Sequence, residues 1–174
     1  MPKRPNAGPG PAPADGLEPS LAERARTLMS LCRAGSLSTH SQKLPGFPFG
    51  SMMPYAVDDF GRPVSFISSM AMHTRNLKQD PRAGLLVIEP DISGDPLGAA
   101  RVSIVGTAVE APAAEVGECY LSRHENARLW QEFSDFAYYR LEVSGVYFIG
   151  GFGVMGWVSA EDYGKAGKGT RREE

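Results

Sequence analysis

The chain is short of the residues that most often build self-contained chemistry. It has two cysteines in 174 residues, Cys32 and Cys119, with no C-x-x-C pair and no histidine at ligand spacing. That pattern argues against a disulfide framework or a local zinc site and fits reduced thiols in a cytoplasmic protein. Histidine is sparse too: His40, His73 and His124 are well separated, so no metal centre is expected. An excess of one charge is also missing. Eighteen Lys and Arg face twenty Asp and Glu, a net charge of −2, which makes no electrostatic case for nucleic acid. The ends are basic, +1 over residues 1–16 and +2 over 164–174, so the stretch between them carries −5. An anionic ligand would therefore need a local basic pocket. No apolar run approaches the roughly 18 residues of a membrane span. The opening MPKRPNAGPGPAPADG lacks the apolar centre of a signal peptide.

What is present is an ordinary globular composition, 42% hydrophobic and 22% charged. The length suits one domain whose core needs no metal or disulfide. The Pro/Gly/Ala-rich residues 1–16 read as a disordered tail, 17–163 as the domain, and 164–174 as a disordered basic tail. A first helix starts after Ser20, where Ser20 and Glu23 fit a capping box, and buries Leu21, Ala25, Leu28 and Cys32 before Ala34-Gly35 ends it. Gly35 to Gln42 reads as a first strand with Leu37 and Thr39 alternating inward and His40 on its surface.

The chain centres on residues 48–89. Ser51–Val57 and Pro63–Ser68 read as strands around a Gly-bearing connector, Asp58 to Arg62. Pro54 suits an edge or bulged position, and Gly50 a close backbone approach. Met70 to Gln79 reads as a short helix stopped by Asp80-Pro81. Ala83–Glu89 is apolar enough for a strand buried on both faces. Further on, Arg101–Glu110 alternates, with Val102, Ile104 and Ala108 on one face. Pro112 opens a helix with Val116, Cys119 and Tyr120 as its core side. Glu125–Phe133 reads as a short helix whose Leu129, Trp130 and Phe133 stripe would be core or dimer contact. Phe136–Ile149 is the longest strand signal. Ala137, Tyr139, Leu141, Val143, Tyr147 and Ile149 share one parity, and Gly145 marks a bulge. About six antiparallel strands with marginal helices make a small barrel in a mainly β, α+β domain.

Ser68, Ser69, Thr74, Arg75 and Asn76 gather donors around a helix start. Such ends bind anions through free N–H groups and the helix dipole, and Arg75 adds a bidentate partner for phosphate. A plainer alternative makes Ser69 the helix cap and Arg75 a solvated charge. Two glycine motifs carry less. Gly151 to Gly156 spells G-x-G-x-x-G, but a dinucleotide site needs a following helix, a parallel strand and an acidic residue, and 18 residues remain. Gly164–Thr170 misses the phosphate-loop order. Local spacing indicates no catalytic residue.

The segments GFPFGSMMPYAVDD, FISSMAMHTRNLKQDPRAGLLV and FAYYRLEVSGVYFIGGFG, with Trp157, resemble the split-barrel flavoproteins related to pyridoxamine 5′-phosphate oxidase, and within them the HugZ-like, haem-utilisation branch. The resemblance spans roughly residues 20–160 and implies a six-stranded antiparallel split β-barrel, a homodimer and FMN at the dimer interface. Carried over by position, it implies Gly50, Ser51 and Met52 beside the flavin, and Ser68, Ser69, Thr74, Arg75 and Asn76 near its phosphate. Trp157 would reach in from the partner. The activity implied is that of an FMN-dependent oxidoreductase or flavin reductase on an unknown small molecule. The alternative on the same fold is a haem-binding or haem-degrading protein. No Arg- and Trp-bearing segment that would grip pyridoxine phosphate follows Trp157, so pyridoxamine phosphate oxidation is not expected.

Overall fold

A computed structural model describes residues 18–90, 92, 94–151 and 153–167. The expectations for residues 1–16, and for the tail beyond 167, lie outside them. Helix α1 (Leu21–Leu31) opens with both halves of the capping box: the Glu23 N–H donates to Ser20 Oγ, and the Ser20 N–H donates to Glu23 Oε2 at 2.8 Å. Strand β1 (Ala34–His40) follows almost at once. Gly35 is therefore a strand residue and not a helix end. A Cβ there would lie 2.7 Å from Leu86 O, which explains the glycine.

The sheet continues with β2 (Pro48–Pro54), the two-residue β3 (Ala56–Val57), β4 (Pro63–Ser68), β5 (Arg82–Ile88), β6 (Arg101–Ala111), β7 (Phe136–Ile149) and β8 (Met155–Ser159). Every pairing is antiparallel, in the order β2-β1-β5-β6-β7-β4-β3, with β8 added beside β7. The expected strand 51–57 is two strands. Consecutive β2 and β3 lie at opposite ends of the sheet path, so the chain at Tyr55 bridges the edges and curls the sheet into a split barrel. Pro54 ends the edge strand β2, where its missing N–H interrupts no ladder. The buried Tyr55 donates its hydroxyl to Met29 O at 3.0 Å and anchors this closure on α1.

The barrel interior holds Leu37, Met53, Ile67, Leu85, Val87, Val102, Ile104 and Leu141, with α1 and α4 (Ala160–Lys165) packed over one side. Gly164 and Lys165 belong to α4, so the helix overruns the boundary expected at 163. A second cluster joins α3 (Ala113–Leu121) to the outer side of β4 and β7 through Val64, Val116, Tyr120 and Tyr138. The short helix expected over Glu125–Phe133 is a 3-10 helix that ends at Trp130. Its stripe is exposed, with Leu129 at 74% and Phe133 at 56%.

Two expectations about strand faces are corrected. β5 is buried on one face only: Ala83, Leu85 and Val87 point inward, whereas Leu86 and Ile88 remain exposed. An apolar run shows that a strand can be buried on both sides, not that anything covers the second side. On β7 the parity changes midway. Val105 faces Gly145 but Gly106 faces Val143, so Ser144 is the extra, bulged residue. Tyr139, Leu141 and Val143 face the barrel before it; after it Val146 and Phe148 do, and Tyr147 and Ile149 point outward.

Candidate functional site

The predicted donor cluster surrounds α2 (Met72–Gln79), and the structure divides it. Thr74 and Asn76 are buried at 1% and 0% exposure. Thr74 Oγ1 donates to Ser68 O at 2.7 Å. Asn76 Nδ2 donates to Thr39 Oγ1 at 2.9 Å, and Asn76 Oδ1 accepts from the Gln42 N–H at 2.9 Å. Both side chains fasten α2 to the barrel, chiefly to β1 and the loop after it. Ser68 Oγ is engaged as well: it donates to Asp135 Oδ2 at 2.5 Å and accepts from the Met70 N–H. Ser69 does not cap the helix. The N-cap is Ala71, with no side-chain bond, and the Ser69 N–H donates to Asp135 O. What remains for an anion is the uncapped α2 start, the Ser69 hydroxyl and the exposed Arg75, whose side chain makes no hydrogen bond or ion pair among the described residues. Beside them the half-buried imidazole of His73 has its pKa lowered by desolvation, which favours the neutral ring.

Of the other named residues, Gly50, Met52 and Trp157 lie on the outer face of the sheet, whereas Ser51, paired with the buried Leu37, falls on the opposite parity. Cross-strand partners form an unbroken row over six strands, Met52, Ser36, Leu86, Ser103, Tyr147 and Trp157. Met52 is 76% exposed and Trp157 69% exposed, with the Trp157 ring 5.2 Å from that of Tyr147. The adjacent row is Gly50, Ser38, Gly84, Val105, Gly145 and Ser159, a floor nearly without bulky side chains. Five strand spacings, about 24 Å along the sheet, separate Met52 from Trp157. Within one chain they cannot flank the same ring. Sequence reasoning missed this face because its members alternate with core residues on six separate strands. The signal was there in the period-2 spacing of Ser36, Ser38 and His40 and of Gly84, Leu86 and Ile88.

Where the floor meets the bulge, a groove of about 500 Å³ is lined by His40, Pro48, Arg82, Gly84, Val105 and Ser144. Arg82 Nη2 pairs with Asp80 Oδ2 at 2.6 Å, and these bonds hold the Asp80 carboxyl well below the usual carboxylate range. His40 is exposed, at the end of β1. Among the described residues no group of three or more His, Cys, Asp or Glu is placed to hold a metal ion. No described helix is long and apolar enough to cross a membrane.

A curled antiparallel sheet with flanking helices is the split barrel of the pyridoxamine 5′-phosphate oxidase-like proteins. A putative oxidase of that type from Listeria innocua superposes with a TM-score of 0.57 at 15% identity, over 75% of this chain and 99% of the other. The chain belongs to the family described as CREG, beta-barrel, whose model matches residues 18–165. It is 36% identical over 152 residues to the non-canonical heme oxygenase HOZ, chloroplastic, of Arabidopsis thaliana, covering 83% of this chain and 46% of that protein. It is 34% identical to a heme binding protein from Mycobacterium smegmatis, with a TM-score of 0.81 over 87% of this chain and 62% of that one. The chain thus spans about half to three-fifths of the length of these two relatives.

Proposed function

We propose that this chain is a haem-binding, haem-handling domain that works as a homodimer, with the tetrapyrrole lying against the outer sheet face. One structural observation carries the reading: the small-residue floor is bordered by apolar side chains, with an imidazole and a guanidinium at its rim. A flat apolar macrocycle suits such a surface. Arg82 would hold a propionate and His40 would face the iron. The two relatives named for haem support the same choice. Bound haem supplies iron redox and oxygen chemistry. The chain's own contribution is to bind the macrocycle, orient it and exclude water from one side. A partner subunit would cover the exposed Leu86, Ile88 and Trp157 and the half-buried Tyr147, and would bring Trp157 toward the Met52 edge of its neighbour.

Titrating purified protein with hemin tests this. The expected result is a saturable, intense band near about 400 nm that shifts and weakens in His40→Ala. No band overturns haem binding; an unchanged band in the variant overturns His40 as ligand.

A second reading keeps FMN and an FMN-dependent oxidoreductase or flavin reductase. The uncapped α2 start with Ser69 and the unengaged Arg75 favours it. Its phosphate would then be held without Thr74 and Asn76. Here Arg75→Ala should weaken FMN by about ten- to a hundredfold, the equivalent of a charge-assisted bond worth roughly 1.5–3 kcal/mol. Riboflavin binding should be the same in both forms. Equal loss for both ligands would sink the phosphate assignment.

A further inference from the structure

A separate cavity of about 520 Å³ opens between the α1–β1 junction, the end of α3 and the 3-10 helix that follows. Its charge is unlike that of the chain, whose central segment is acidic. Arg33 and Arg123 line it, together with Ser122, His124 and Trp130; Glu125 is the one carboxylate on the lining. Arg33 is exposed, and its side chain makes no hydrogen bond or ion pair among the described residues. Arg123 donates through Nη2 to Cys32 O at 2.9 Å, which holds it in place, while its Nε is buried with no partner. As lining residues, Arg33 and Arg123 offer guanidinium N–H groups to an anionic oxygen.

The remaining wall is rigid. His124 Nε2 lies 2.8 Å from Tyr55 O and donates to it, and the ring stacks on Tyr120 at 4.7 Å. Trp130 stacks on Phe136 at 6.1 Å yet stays 48% exposed, leaving indole surface for a second ring. At the end of α3 the carbonyls of Glu118 and Tyr120 accept from the N–H groups of Ser122, Arg123 and His124, which fixes the turn that carries Arg123. From this geometry we infer that the cavity binds an aromatic phosphomonoester, of the nucleoside monophosphate kind, with Arg33 and Arg123 on the phosphate and Trp130 against the ring. The volume falls in the range of small-ligand sites. The site uses none of the residues assigned to haem or to the flavin phosphate, and stands or falls apart from them.

Trp130 and Trp157 are the two tryptophans of the chain, so full-length Trp157→Phe carries a single reporter in this cavity. Titration with adenosine monophosphate, adenosine and inorganic phosphate should change Trp130 fluorescence saturably for the monophosphate, with adenosine at least about tenfold weaker. Adding Arg33→Ala, whose side chain supports no other contact, should weaken the monophosphate about tenfold or more, whereas adding Lys43→Ala, at an exposed lysine outside the lining, should leave it unchanged. Arg123→Lys gives a second reading that keeps the charge but loses the Nε donor, and it should also weaken binding. No saturable response at millimolar monophosphate, equal binding of adenosine, or indifference to Arg33→Ala would each overturn the site.

Discussion

Gly106 sits where the bulge presses the β7 backbone against β6. A Cβ there would lie 2.0 Å from Glu142 O, a backbone atom that cannot rotate away. Gly106→Ala should destabilise the fold by about 2–3 kcal/mol in urea unfolding, the upper range for forced overpacking. Gly84→Ala, whose nearest neighbours would be 3.8 Å away, should stay within about 0.5 kcal/mol. Equal effects would mean that the bulge tolerates a side chain. Glu142 itself closes a chain of charges, accepting from Arg140 Nε at 2.7 Å and lying 3.2 Å from Arg62 Nη1, which in turn leads to Asp58. Burial pushes its carboxyl up, but the Arg140 bond and the charges of Arg62 and Arg140 outweigh that and leave it below its ordinary value. With the folded value depressed, the unfolded state binds protons first. The stabilisation is therefore present above the unfolded value of about 4.3 and fades as pH falls through the folded value. Glu142→Gln should cost about 0.5–1 kcal/mol at pH 7, since the pair is partly solvated, and nothing once the pH lies below both the unfolded and the folded value. A pH-independent difference would assign the loss to packing.

Among the elements, α1 and α2 start differently, and their variants should separate accordingly. Ser20→Ala removes a complete capping box and should lower stability by about 1 kcal/mol. Ser69→Ala should leave apo stability within about 0.5 kcal/mol, because Ala71 and not Ser69 is the N-cap of α2. Thermal unfolding of the two side by side checks both. α2 is instead held through Asn76. Asn76→Ala would leave the Gln42 N–H without its acceptor and Thr39 Oγ1 without its donor, in a buried place. A loss of about 3 kcal/mol is expected, larger than either serine change. Its effect on FMN should follow stability alone. A selective loss of FMN affinity in a folded Asn76 variant would return that residue to the phosphate site.

For the whole molecule, the outer sheet face is where the proposed dimer would form. Leu86, Ile88, Val105, Tyr147 and Trp157 leave apolar surface on a broad, gently curved sheet, the kind of patch that marks an interface. Leu86 is 37% exposed, so Leu86→Glu should fold normally yet shift sedimentation from dimer to monomer at micromolar concentration. A wild type that sediments as a monomer, or a variant that stays dimeric, would remove the dimer through this face. Because the groove proposed for haem lies on the same surface, the monomeric variant should also bind hemin more weakly.

Much of this was legible locally. The Ser20/Glu23 spacing marked the start of α1, Asp80-Pro81 marked the end of α2, and the Phe136–Ile149 run gave β7 to the residue, because caps, proline and β-branched alternation act over a few positions. The basic and hydroxyl cluster at 68–76 was legible as composition, but not its division. Which donors remain for a ligand depended on Thr39, Gln42 and Asp135, partners distant in sequence that consumed Asn76 and Ser68. The parity switch at Ser144 was likewise hidden, since a bulge exists only relative to the strand beside it. The amino-acid sequence by itself determined where elements start and stop and which side chains are available, through short-range sterics and hydrogen bonding. Only the tertiary structure decided which of those side chains spend their donors on the fold, and which meet as a surface, because cross-strand register joins residues that no local spacing connects.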